Sequence, residues 1–133
     1  MKKVLTFGTF DGLHPGHIFY LTQAQNLGDK LYVCVARDKT VETVKKKKTQ
    51  FSQEERAAAI KEYFPDAEVV IGHSTDYSKV IRDIRPNIIC LGYDQKHFID
   101  QIKPCLKENN IECEIVRMND FYPEIYKTTL LRL

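Results

Sequence analysis

Five short apolar runs, separated by stretches of helical period, leave this chain few folds to choose from. The runs are residues 3–7 (KVLTF, ending at Gly8), 31–36 (LYVCVA), 68–71 (EVVI, before Gly72), 88–91 (IICL, before Gly92) and 112–116 (ECEIV). Their length and composition are those of strands. Between them, Ile18, Leu21, Ala24 and Leu27 form one stripe within residues 16–27. Ser52-Gln53-Glu54-Glu55 is a capping-box pattern ahead of Arg56, three alanines and Ile60. Val80, Ile81 and Ile84 gather within residues 76–84, and residues 96–109 predict a less regular fourth helix. Strands alternating with helices of this length mean βαβ units and a parallel sheet. Strands without polar alternation suit a sheet covered on both faces. The expected fold is α/β, a doubly wound five-stranded parallel sheet with helices on both faces.

Size and charge narrow the function. A chain of 133 residues is the length of one ordinary domain, and 43% hydrophobic with 29% charged residues is a globular composition. Residues 1–133 are therefore expected to form a single domain. Twenty Lys plus Arg against eighteen Asp plus Glu leave a net charge of +2, too little field for nucleic acid or an anionic membrane. No apolar run approaches the ~20 residues that span a bilayer. The first eight residues lack the apolar length and cleavage site of a signal peptide. A cytoplasmic protein with neither nucleic-acid nor membrane partner is expected. Cys34, Cys90, Cys105 and Cys113 are widely spaced, with no C-x-x-C pair, and predict reduced structural thiols rather than disulfides or a zinc site.

Ligands of doubly wound sheets bind beyond the carboxyl ends of the strands, where the winding reverses. The residues that follow the first strand therefore carry most weight. They are Gly8-Thr9-Phe10-Asp11-Gly12-Leu13-His14-Pro15-Gly16-His17. Glycines permit tight turns and close approach of a ligand, and Pro15 suits the first turn of a helix. That helix would aim its N–H groups and positive dipole end into the crevice. His14 and His17, three apart, can share one side of the helix start. The spacing is neither G-x-G-x-x-G nor G-x-x-x-x-G-K-[ST]. A metal held by the two histidines lacks a third ligand at suitable spacing. Two surface histidines in a glycine-rich turn are the bland alternative, and the sheet position and helix start favour a phosphate site over it.

Gly8-Thr9-Phe10-Asp11 together with His14-Pro15-Gly16-His17 resembles the signature of the nucleotidyltransferase superfamily with the H-x-G-H motif. The resemblance runs through most of the chain in the same element order. It implies a Rossmann-like sheet and transfer of a nucleoside monophosphate from a nucleoside triphosphate to a phosphorylated small-molecule acceptor, with release of pyrophosphate. It further implies Mg²⁺ or another divalent cation, and suggests a homodimer. It puts Gly8, Thr9, Phe10, Asp11 and Gly16 against the nucleotide and has His14 and His17 stabilise charge at the α-phosphate. Such chemistry needs no strong base, because the attacking phosphate monoester is already anionic; it needs positioning and charge stabilisation.

Other candidates keep two readings each. Asp11 can help hold Mg²⁺, or bond the backbone of its own loop. The lysines at 45–48 are a solvated loop or an arm that closes on phosphate, with Lys45 and Lys46 as candidate catalytic residues. Arg56 is a helix-surface residue, or a phosphate ligand as its place in the family pattern suggests. Asp94 and Gln95, after the fourth strand, read a base edge or ribose, or cap the next helix. Their segment, Leu91-Gly92-Tyr93-Asp94-Gln95, resembles the Leu-Gly-Pro-Asp-Gln stretch of archaeal FAD synthases. It is less similar to the Gly-Asp-Asp-Trp stretch of glycerol-3-phosphate cytidylyltransferases, and the chain has no Trp. ATP and FMN are thus the favoured substrates, with Tyr93, Phe98, Phe121 or Tyr122 as stacking partners for a flavin. Cytidylyl transfer from CTP to glycerol 3-phosphate or a similar alcohol phosphate ranks second. A noncatalytic nucleotide-binding regulatory module ranks third. Arg117, Thr128 and Thr129 resemble parts of the Arg-Thr-x-Gly-Ile-Ser-Thr-Thr pattern of cytidylyltransferases. The Gly-Ile-Ser part is missing and residues 119–124 are inserted, which weakens cytidine specificity. Thr128 otherwise only caps a short terminal helix.

Overall fold

The computed structural model describes residues 1–46, 48–72, 77–91 and 98–117. In chain order the elements are β1 (Lys3–Gly8), α1 (Pro15–Gln25), β2 (Lys30–Val35), α2 (Asp38–Lys45), α3 (Gln53–Tyr63), β3 (Glu68–Ile71), α4 (Tyr77–Ile84), β4 (Ile88–Leu91), α5 (Phe98–Glu108) and β5 (Glu114–Arg117). All five strands are parallel, in the order β3-β2-β1-β4-β5. The winding therefore reverses at β1, between β2 on one side and β4 on the other.

The two-residue period of a strand divides its side chains between two cores. Val4 of β1, Leu31, Val33 and Val35 of β2, and Ile88 and Cys90 of β4 face one layer. There they meet Tyr20, Leu21 and Ala24 of α1 and Ile60 of α3. Leu5 and Phe7, Cys34, and Ile89 and Leu91 face the other layer, against Val80 and Ile81 of α4 and Ile102, Cys105 and Leu106 of α5. Each fully buried aliphatic side chain contributes roughly 1.5–3 kcal/mol of transfer free energy, so neither face can be stripped. Thr6 is buried within β1 and donates its hydroxyl to the Tyr32 carbonyl at 3.4 Å. The Rossmann-like α/β expectation is met on both faces.

Two strands are shifted against expectation, and one helix is new. β2 begins at Lys30, and β5 spans Glu114–Arg117 rather than residues 112–116, because Glu114 is the residue that pairs with Ile88. The segment after β2 is helical (α2) and takes in Lys45, so the lysine run opens on a helix end rather than a loop. Among the described residues no helix is long and apolar enough to cross a membrane.

None of the four cysteines is joined in a disulfide. Burial pushes Cys34 up to about 12. Burial, reinforced by Cys113 and Glu114, pushes Cys90 up to about 12 as well. Burial takes Cys113 up to about 11.

Candidate active site

β1 delivers the candidate loop at the centre of the sheet. Gly8 ends the strand, and a Cβ there would lie 2.5 Å from Cε2 of Phe10, so the position has no room for a side chain. Phe10 is 5% exposed and adopts φ 53°, a left-handed conformation that costs a non-glycine residue about 1–3 kcal/mol. Its ring tucks back over Gly8 and meets His17 edge-on, with centroids 5.4 Å apart. The strained phenylalanine is thus a floor for the second histidine.

The histidines open α1. His14 is the N-cap, with extended backbone, and its Nδ1 accepts the Gly16 N–H at 3.0 Å. His17 Nδ1 accepts the His14 N–H at 3.5 Å, which completes a capping box made of two imidazoles. Pro15 fills the first turn, where no N–H is needed. The rings stack at 3.7 Å with 24° between their planes. They lie together, His14 exposed and His17 half-buried. An Nδ1 that accepts has no proton, so each neutral ring carries its proton on Nε2 and is a donor there. The Gly16 N–H, expected to meet an anion directly, instead fixes the tautomer of His14. α1 is anchored from behind by Tyr20, whose hydroxyl donates to the Cys90 carbonyl at 2.9 Å, joining the helix to the end of β4.

Asp11, expected to bond the backbone of its own loop, instead turns its carboxylate to the backbone of a distant segment. Its Oδ2 accepts the Gln50 N–H at 2.8 Å and its Oδ1 accepts the Phe51 N–H at 2.9 Å, which ties the entry to α3 across the β1 loop. Arg56 departs from its surface expectation. It is 1% exposed, and its guanidinium donates to the Phe51 carbonyl (3.1 Å), the Thr9 carbonyl (2.7 Å) and Asp38 Oδ1 (2.7 Å). With those donors given to protein acceptors, Arg56 positions the loop rather than presenting a bare fork to phosphate. Asp38, at the start of α2, also takes the Thr49 hydroxyl at 3.2 Å, and its N–H donates to Gln53 Oε1 at 2.9 Å. Burial pushes Asp38 up, but Arg56, the Gln53 N–H and Thr49 outweigh it and hold the carboxyl below the usual range. Residues 38–46 and 48–56 thus form an arch bound to the β1 loop at Thr9 and Asp11. Sequence reasoning passed over Asp38, Thr49 and Gln53, since no local pattern pairs them with Arg56.

The remaining candidates are scattered. Lys45 ends α2, and Lys46 is its exposed C-cap with φ 56°. Arg117 closes β5 beside Leu91, at the carboxyl edge. Asp94, Gln95, Thr128 and Thr129 lie outside the described residues, as do Tyr93, Phe121 and Tyr122. A shallow hollow lined by Lys30, Ala57, Lys61 and Glu68 sits at the amino ends of β2 and β3, the wrong end of the sheet for the histidines. Among the described residues no three His, Cys, Asp or Glu side chains gather as a metal cage, and the Asp11 oxygens are turned to backbone amides. The described residues do not fit a protein-held Mg²⁺.

A doubly wound sheet that presents paired imidazole donors and a helix start at its switch point defines a phosphate-handling enzyme of the nucleotidyltransferase class. The chain belongs to the cytidylyltransferase-like family, whose model matches residues 5–133. It is 40% identical over 121 residues to the FAD synthase of Aciduliprofundum boonei, covering 91% of this chain and 80% of that one. It is 38% identical over 131 residues to the FAD synthase of Picrophilus torridus, covering 98% and 93%. A solved structure from Thermoplasma volcanium, described as a lipopolysaccharide core biosynthesis protein, superposes with a TM-score of 0.80 at 38% identity, over 88% of this chain and 95% of the other.

Proposed function

We propose that this nucleotidyltransferase adenylylates FMN, giving FAD. The observation that carries the reading is the capping box of His14 and His17 at the switch point, on a chain about 40% identical to FAD synthases. A phosphate oxygen of FMN attacks the α-phosphorus of ATP. The bond from that phosphorus to the bridging oxygen breaks, and pyrophosphate leaves with the electron pair. No proton has to be removed from the nucleophile at neutral pH. The Nε2–H groups of His14 and His17, with the positive end of α1, stabilise charge that grows on the α-phosphoryl oxygens and the leaving group. In the same reading Lys45 and Lys46, at the end of α2, are phosphate ligands. Asp94, Gln95, Arg117, Thr128 and Thr129 take the nucleotide side, and the divalent cation travels with the triphosphate, whose oxygens hold it.

The test pairs ATP or CTP with FMN or glycerol 3-phosphate and measures pyrophosphate release together with the nucleotide product. FAD from ATP and FMN alone is expected. Product only from CTP and glycerol 3-phosphate would replace this reading with cytidylyl transfer. Tight nucleotide binding without turnover of any pair would point to a regulatory module.

A further inference from the structure

Phe51 is a large apolar side chain left 43% exposed, and nothing in the packing explains it. The other exposed large apolar residues among those described are Met1, Leu27 and Tyr63. They lie before β1, after α1 and at the end of α3, all toward the amino ends of the strands. Phe51 alone belongs to the opposite end, on the arch above the candidate loop. Its backbone is clamped from both sides: the N–H donates to Asp11 Oδ1 at 2.9 Å, and the carbonyl accepts from Arg56 Nε at 3.1 Å. Its ring edge lies over Gly12, where a Cβ would stand 3.5 Å from Phe51 Cε2. Gly12 has φ 85° and no side chain, so that flank of the ring borders the stretch leading into His14.

We propose that Phe51 is the platform on which the flat ring system of the acceptor stacks. The inference rests on the reading of the acceptor as FMN and assigns it a place. The proposed function gives the nucleotide to residues that follow β4 in sequence, which leaves the arch after β2 for the acceptor. That arch also carries exposed Lys46 and Lys48. An aromatic face and cationic side chains on one segment match a ligand with both a planar heterocycle and a phosphate. An alcohol phosphate has no ring to offer. Because both backbone groups of Phe51 are already held, stacking freezes little beyond the ring itself.

The test uses the full chain and its Phe51→Ala and Phe51→Trp variants. FMN affinity is read from quenching of flavin fluorescence without ATP, and KM values for FMN and ATP from FAD formation. Base–aromatic stacking lost to alanine predicts a Kd and KM for FMN roughly ten- to a hundredfold higher. The KM for ATP should stay within about twofold, and Trp should restore FMN binding. Thermal melting of each variant confirms that the fold is kept. If the wild-type chain forms FAD and Phe51→Ala binds FMN as tightly, the stacking assignment is overturned while FAD synthesis stands. If the KM for ATP rises instead, Phe51 belongs to the nucleotide and the assignment is overturned. If the wild-type chain forms no FAD and does not quench flavin, the function falls and this inference falls with it.

Discussion

His14 has two duties that substitution can separate. As N-cap it satisfies the Gly16 N–H; in the proposed function its exposed ring also donates from Nε2 to phosphate. His14→Ala removes both and should lower stability by about 1 kcal/mol, the usual cost of a lost cap. His14→Ser restores a capping oxygen but no imidazole. Its melting temperature should recover toward wild type while turnover stays ~100- to 1,000-fold down, the typical value of one oxyanion-type donor. Thermal melts beside pyrophosphate-release rates check this, and an active Ser variant would remove His14 from the chemistry. The motif itself was legible in the sequence, because glycine, proline and histidine spacing is local. The φ of Phe10 and the burial of Arg56 were not. Both depend on what the rest of the fold presses against them.

Helix α2 shows where local reading stops. Residues 38–45, DKTVETVK, hold two valines among polar residues and run straight into lysines. Such a stretch is too short to be helical alone. What holds it is tertiary: Arg56 from α3 reaches Asp38 in its first turn, and Gln53 takes the Asp38 N–H. Arg56→Lys should therefore loosen the whole arch. A single ammonium cannot span the Thr9, Phe51 and Asp38 acceptors, and a loss of about 1–3 kcal/mol is expected from the part-buried bonds given up. Urea unfolding measures it. The same pair sets an acid limit. The folded carboxyl of Asp38 titrates below its ordinary value. Its contribution is thus complete above pH ~3.9 and fades as pH falls through the lowered folded value. Asp38→Asn should flatten the part of the stability profile that lies below about pH 4, a small effect because the carboxylate is partly exposed. An unchanged acid limb in that variant would separate the pair from the arch.

At the scale of the whole molecule, the two cores cover the central strands β1, β2 and β4 on both faces. Cys34 and Cys90 sit inside them with thiols raised to about 12 by burial, so iodoacetamide at pH 8 should label both far more slowly in the native protein than in guanidinium. Equal labelling would mean that the cores open readily. The five strands and their parallel pairing could be read from apolar runs and their spacing, since burial on both faces leaves the central strands with little polar alternation. The layer each helix joins could not, because that depends on the strand order around β1. Nor could Phe51 be singled out, because exposure is a property of the assembled arch. A helix start that needed only closing would be better served by Ser, Asp or Asn than by imidazole. Descendants that abandon phosphoryl transfer are thus free to exchange His14 for a better cap with no harm to folding, and such an exchange would date the loss of chemistry in this lineage more sharply than any change in the core.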